Sequence, residues 1–232
     1  MQNVRDKEKF IRGMGVIGII AIIITMISDV ILLGKPTHAL SFIIKGTETM
    51  SGIAPWRVMI GSILGVLFLP FQIFGLVPVY YGIKISGKRK PFAKIIPAAH
   101  ALIMGVAFHI SYVYIGRGWR LHHRDDVGNS GTLALMNSFD SYWRILIVVM
   151  FVDILCFSII FAVTIWKGNT LYPKWMVFLN PLCVVMYLFP FVFIIPAPIG
   201  GYIAPTYLNL STLVFMVLST NVISNKIKNS IC

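Results

Sequence analysis

Met14–Leu33 reads MGVIGIIAIIITMISDVILL, twenty residues that are aliphatic almost throughout and carry one carboxylate, Asp29. At ~1.5 Å per residue a helix of this length covers about 30 Å, the thickness of a bilayer's hydrocarbon core. The charged opening MQNVRDKEKFIRG has the look of a signal peptide's first region. The apolar run behind it is too long for such a leader, and Gly34-Lys35-Pro36 is not a small-x-small cleavage site. The stretch is therefore expected to be a retained first transmembrane helix.

The rest of the chain repeats the pattern. Of its 232 residues 57% are hydrophobic and 12% charged, about half the charge of a soluble domain. Its mean hydropathy is +0.84. Too few polar side chains exist to clothe a water-soluble body of this size, so lipid must cover most of it. The net charge of +12 would suggest nucleic acid in a soluble protein. Here the basic residues sit at the ends of apolar runs, where they set topology and meet anionic headgroups, so no nucleic-acid partner is expected. The three cysteines, Cys156, Cys183 and Cys232, form no CxxC pair, and the two within apolar runs read as small hydrophobes.

Hydropathy gives six segments: Met14–Leu33, Val58–Ile83, Ile95–Ile115, Ile145–Trp166, Met176–Ile195 and Ala204–Ile223. All five tryptophans lie at or just beyond segment ends, as an interfacial aromatic belt requires. The expected fold is an all-α bundle of six spanning helices in one domain, residues 1–232. With the N-terminus inside, 13 of the 20 basic residues lie on the cytoplasmic side and 7 outside, so both termini are expected to be cytoplasmic. The Lys84–Lys94 loop is the strongest single signal, and it is expected to contact anionic headgroups. The compartment is a cell membrane, read as a bacterial plasma membrane. Prolines interrupt the second and fifth segments (Pro70, Pro78, Pro181, Pro190), and membrane helices tolerate them where neighbours satisfy the freed carbonyls. Asp29 precedes FLPFQIF by about the interval at which Asp153 precedes LFPFVFI, a faint inverted echo that chance explains best.

Ionisable groups inside such segments are costly and mark function or pairing. They are Asp29, His100, His109 and Asp153, with Gln72, Asn180 and Asn209 as neutral company. Counted from segment midpoints at ~1.5 Å per residue, Asp29, His109, Asp153 and Asn209 fall ~3–9 Å toward the outside, in one layer. His100, Gln72 and Asn180 fall in the inner half. Gly15, Gly18, Thr25 and Asp29 share a helix face, and Gly105, His109, Tyr112 and Gly116 share another. Tyr142, Asp153, Thr164 and, marginally, Cys156 share a third, which directs Asp153 inward. His100 and His109 are out of phase and cannot hold one ion. Asp29, His109 and Asp153 suit a divalent metal such as zinc with an open position, or an acid/base pair, with Asn209 orienting. His122, His123, Asp125 and Asp126 of the loop Leu121–Asn129 are further candidate ligands. The plain alternative makes both aspartates hydrogen-bond acceptors between helices, because no HExxH-type spacing is present.

Several motifs resemble a family of small bacterial integral membrane proteins of unknown function. They are SD-x-x-LLG from Ser28, WR-x-x-x-GS-x-LG from Trp56, AFH ending at His109, TLYPKW (Thr170–Trp175), LNPL (Leu179–Leu182), IPAPIGG (Ile195–Gly201) and NLS (Asn209–Ser211). The resemblance covers nearly the whole chain and implies the same six-helix architecture, with Asp29, His109, Pro181 and Asn209 in recurring motifs. It supplies no catalytic residues. A more distant likeness, to membrane-embedded hydrolases such as alkaline ceramidases, lacks their Ser-x-x-x-His and late His-x-x-x-His helices. The functions that fit are a metal-assisted enzyme on a lipid-like substrate, a proton- or ion-coupled carrier, and a non-catalytic accessory or immunity-type membrane protein.

Overall fold

The computed structural model describes residues 2–41, 46–84, 91–124, 130–168 and 170–229, and every regular element among them is helical. Helix α1 (Gln2–Leu33) contains the opening stretch. A 3-10 turn (Gly46–Gly52) leads to α2 (Pro55–Phe68), a second 3-10 turn (Pro70–Gly75) and α3 (Leu76–Lys84). Two long helices follow, α4 (Ile96–Arg124) and α5 (Ser130–Trp166). Then come a 3-10 turn (Lys174–Leu179), α6 (Pro181–Ile194), α7 (Ile199–Ile203) and α8 (Tyr207–Asn229).

Among the described residues, five helical stretches are long and apolar enough to cross a membrane: Arg5–Leu33, Pro55–Lys84, Ile96–His123, Gly131–Trp166 and Ile199–Asn229. The fifth expected segment, Met176–Ile195, instead splits at Asn180–Pro181, and its α-helix has 14 residues. Pro181 has no N–H to continue the preceding turn, and Asn180 caps the new helix by accepting from the Cys183 N–H at 3.1 Å. Pro70 breaks the second segment for the same reason. Residues 116–124 and 130–144, beyond the apolar windows that end at Ile115 and begin at Ile145, are helical, and there α4 and α5 close on each other where Met136 covers Gly118. Hydropathy locates the lipid-facing part of a helix, not its ends. Val148, Val152, Ile159 and Val163 lie exposed along α5, a face for acyl chains.

Small residues let the helices meet. Gly15 lies against Thr220 of α8, and Gly18 lies against the backbone of Gly75. At the other end of this interface Asn209 bonds Asp29, so α1 and α8 run antiparallel and the two chain ends share one end of the bundle. Ser28 donates to the Gly61 carbonyl at 2.5 Å. Arg57, one of the seven basic residues assigned to the outer side, caps α1: its guanidinium donates to the Ile31, Val30 and Gly34 carbonyls at 2.8, 3.1 and 2.5 Å. The connection after α5 starts at the termini end, where the Leu171 N–H reaches the Gly82 carbonyl at 3.0 Å. It finishes at the opposite end, where the Lys35 N–H reaches the Gly201 carbonyl at 3.2 Å.

Candidate functional site

Asp29 sits four residues before the end of α1, on the face that carries Gly15, Gly18 and Thr25. It is 5% exposed, and both carboxylate oxygens are used. Oδ2 accepts from the Asn209 amide of α8 at 2.7 Å, and Oδ1 lies 3.3 Å from Nε2 of His109 on α4. Gln72, on the 3-10 turn, donates from Nε2 to the Thr25 hydroxyl at 3.0 Å and to Asn209 Oδ1 at 3.4 Å. Four separate elements thus close one buried network, consistent with the rule that intramembrane polar groups face the bundle interior and pair. His109 fits because Gly65 of α2 has no side chain: a Cβ there would run into the imidazole.

Of the expected site residues, Asp29, His109 and Asn209 come together and Asp153 does not. Asp153 Oδ2 pairs with His100 Nδ1 at 2.7 Å near the termini end, with side chains 16% and 46% exposed. The depth count misplaced it because α5 begins at Ser130, not near Ile145. The midpoint of the longer helix falls before Asp153, which moves it toward the termini end. The inward face assigned to it also fails in part, since Tyr142 and Cys156 are exposed. The metal set Asp29, His109 and Asp153 is therefore not assembled, and no group of three His, Cys, Asp or Glu placed to hold a metal occurs among the described residues. His122 instead faces the Thr132 hydroxyl at 3.2 Å, while Asp125, Asp126 and most of the Lys84–Lys94 loop lie outside the described residues.

Gln72 and Thr25 belong to the network although the depth count put Gln72 in the inner half. Two signals bear on them: a lone amide amid the FLPFQIF run, and Thr25 one turn before Asp29. The Gln72 backbone does lie toward the termini, its carbonyl against Gly18, and it is the long side chain that reaches Thr25 and Asn209.

The network forms part of the wall of a cavity of about 780 Å³. Leu69, Leu102, Ile154, Phe157, Phe215 and Met216 make much of the remaining wall apolar. Phe108 stacks on Trp143 at 5.5 Å, and Tyr112 meets Phe108 edge-on at 5.0 Å. The cavity extends to Thr47, Glu48, Trp119, Asp140 and Arg144 at the end opposite the termini. There the Thr47 hydroxyl donates to Asp140 Oδ1 at 2.8 Å, and the Trp119 indole donates to that hydroxyl at 3.1 Å. Arg144 Nε donates to Asp140 Oδ2 at 2.6 Å. Sequence reasoning did not single out this rim, since its members come from three elements with no common spacing.

The imidazole and carboxylate can hold and pass one proton. With Nε2 turned to Asp29, Nδ1 faces Gly65 and has no partner among the described residues. Thr212, also in the wall, is engaged with the Leu208 carbonyl at 3.0 Å.

Such a bundle, apolar outside with a buried carboxylate–imidazole pair beside an internal cavity, is that of a multi-pass helical membrane protein. The chain belongs to DUF6796, a family of unknown function, which it matches over residues 1–226. No curated protein and no solved structure matches it.

Proposed function

We propose that the protein takes a lipid-like amphiphile into this cavity, its chain against the apolar wall and its polar end at Asp29, His109 and Asn209. One observation carries this reading: a cavity of about 780 Å³, within the ~300–1,000 Å³ typical of ligand sites, with apolar walls converging on a few fixed polar groups. Native mass spectrometry of the protein released from membranes tests it. Wild type is expected to carry a bound amphiphile. Ala101→Trp with Ile154→Trp, which fill the wall, should lower occupancy about tenfold, the effect of ~1.4 kcal/mol. Equal occupancy in the folded double variant overturns the reading.

A second reading is proton- or ion-coupled carriage of that ligand. It is favoured by two interrupted helices, at Pro70–Gly75 and at Asn180–Pro181, whose Gln72 and Pro181 both line the cavity, an arrangement common around transported substrates. Flux in proteoliposomes that ignores a pH gradient and ionic gradients counts against it.

Both functions require a topology, and six crossings with cytoplasmic termini is the one we infer. Antiparallel α1 and α8 call for an even number of crossings. The 3-10 turn Lys174–Leu179 and the 14-residue α6 together rise ~33 Å, enough for the hydrocarbon core. Lys84, Lys94 and Lys167 gather at the termini end, where burial and the neighbouring Lys167 pull the Lys94 ammonium below its usual range. That clustering supports contact with anionic headgroups there. In a cysteine-free background, Glu48→Cys and Asn137→Cys should react with an impermeant maleimide on intact cells. Lys7→Cys and Asn229→Cys should react only after permeabilisation. Labelling of Glu48→Cys and Asn229→Cys from one side would sink the topology.

A further inference from the structure

The ligand class can be narrowed, on the premise that the cavity binds an amphiphile. We propose that the polar end of that ligand is a protonated amine, a cation that also donates hydrogen bonds.

The hydrogen-bond polarity of the network leads there. Gln72 is fully buried and lines the cavity. The network fixes its orientation: Asn209 must donate to the Asp29 carboxylate, so its carbonyl is the acceptor it offers Gln72. The Thr25 hydroxyl donates to the Ala21 carbonyl at 2.9 Å, so it too accepts from Gln72. Both amide hydrogens are spent, and Oε1 has no donor among the described residues. A buried acceptor left bare costs about 1–3 kcal/mol, so the site favours a ligand that brings a donor.

Charge points the same way. Among the described residues, the charged wall residues are Asp29, Glu48, Asp140 and Arg144. Arg144 is engaged by Asp140, which leaves Asp29 and Glu48 as the carboxylates facing a newcomer. Phe108, Tyr112 and Trp143 line the same wall, and aromatic rings attract a cation through their quadrupoles. An anionic head would meet Asp29 and the bare Gln72 carbonyl oxygen, both repulsive.

Four dodecyl probes of common chain length separate these elements: dodecylammonium, dodecyltrimethylammonium, dodecanol and dodecyl sulfate. Their affinities are measured on the full chain in phosphatidylcholine nanodiscs and corrected for partition into empty discs. Dodecylammonium should bind about tenfold or more tightly than dodecanol, the effect of one charged hydrogen bond. Dodecyl sulfate should be weakest, and dodecyltrimethylammonium, which has no N–H, several-fold weaker than the ammonium. Asp29→Asn should collapse the ammonium preference. Parity of dodecanol or of the quaternary probe with dodecylammonium overturns the protonated amine and leaves the amphiphile cavity standing. A preference unchanged in folded Asp29→Asn also overturns it. No probe bound above partition removes the cavity reading itself.

Discussion

Gly18→Ala is expected to destabilise the protein by about 3 kcal/mol, near the top of the range for overpacking. A Cβ at position 18 would stand 2.5 Å from both the Cα and the N of Gly75. The obstruction is backbone, so no rotamer change relieves it, and α1 would have to separate from the 3-10 turn that carries Gln72. The damage should therefore reach the site, loosening the Gln72–Thr25 and Gln72–Asn209 bonds. Two other glycines of the same helix serve as controls. At Gly15 the obstruction is the Thr220 side chain, which can turn aside, so Gly15→Ala should cost less. At Gly13 a Cβ meets nothing within 4 Å, and Gly13→Ala should raise stability by roughly 0.5–1 kcal/mol through helix propensity. Thermal unfolding in one detergent, with all three variants side by side, checks the order. Equal melting temperatures for Gly18→Ala and Gly13→Ala would show that α1 does not pack on Gly75 as described.

Asp29→Ala carries the second large effect, a loss of about 3 kcal/mol, because it strands the half-buried Asn209 amide and the buried His109 Nε2–H, at ~1–3 kcal/mol each. Asp29→Asn keeps an acceptor and should lose less. The pair Asp29→Ala and Asn209→Ala, in contact at 2.7 Å, should show a coupling of about 1 kcal/mol or more in a double-mutant cycle. Asp153→Ala is the informative contrast. Its partner His100 is 46% exposed, so solvent screens the pair and the loss should stay below about 1 kcal/mol. Similar losses at both aspartates would contradict their separation into a buried network and a surface pair.

That separation marks where sequence reading stopped. Asp29 was legible because its small-residue face, Gly15, Gly18 and Thr25, lies on one continuous helix, where phase follows from 100° per residue. His109 was legible for the same reason, with Gly105 and Gly116 marking the stripe that meets α2. Asp153 was not, because its depth depends on where α5 starts, and tertiary packing of Met136 on Gly118, not hydropathy, sets that start. Gln72 was placed correctly toward the termini, beside Gly18, but the reach of its side chain to Thr25 and Asn209 follows only from the packing. Arg57 looked like one more outward charge, and only the fold shows its guanidinium on three carbonyls of α1.

The sequence by itself determined the class of protein. Apolar runs of membrane length, tryptophans at their ends and few charges leave only a helical solution in lipid, since every backbone group there must be bonded within the chain. It also singled out the polar residues that matter, because an ionisable group in hydrocarbon is too costly to be incidental. Only the tertiary structure decided which of them meet. Helix phase fixes a face but not a partner, and contacts across α1, α4, α8 and the Pro70–Gly75 turn depend on crossing points that small residues set one Cβ at a time.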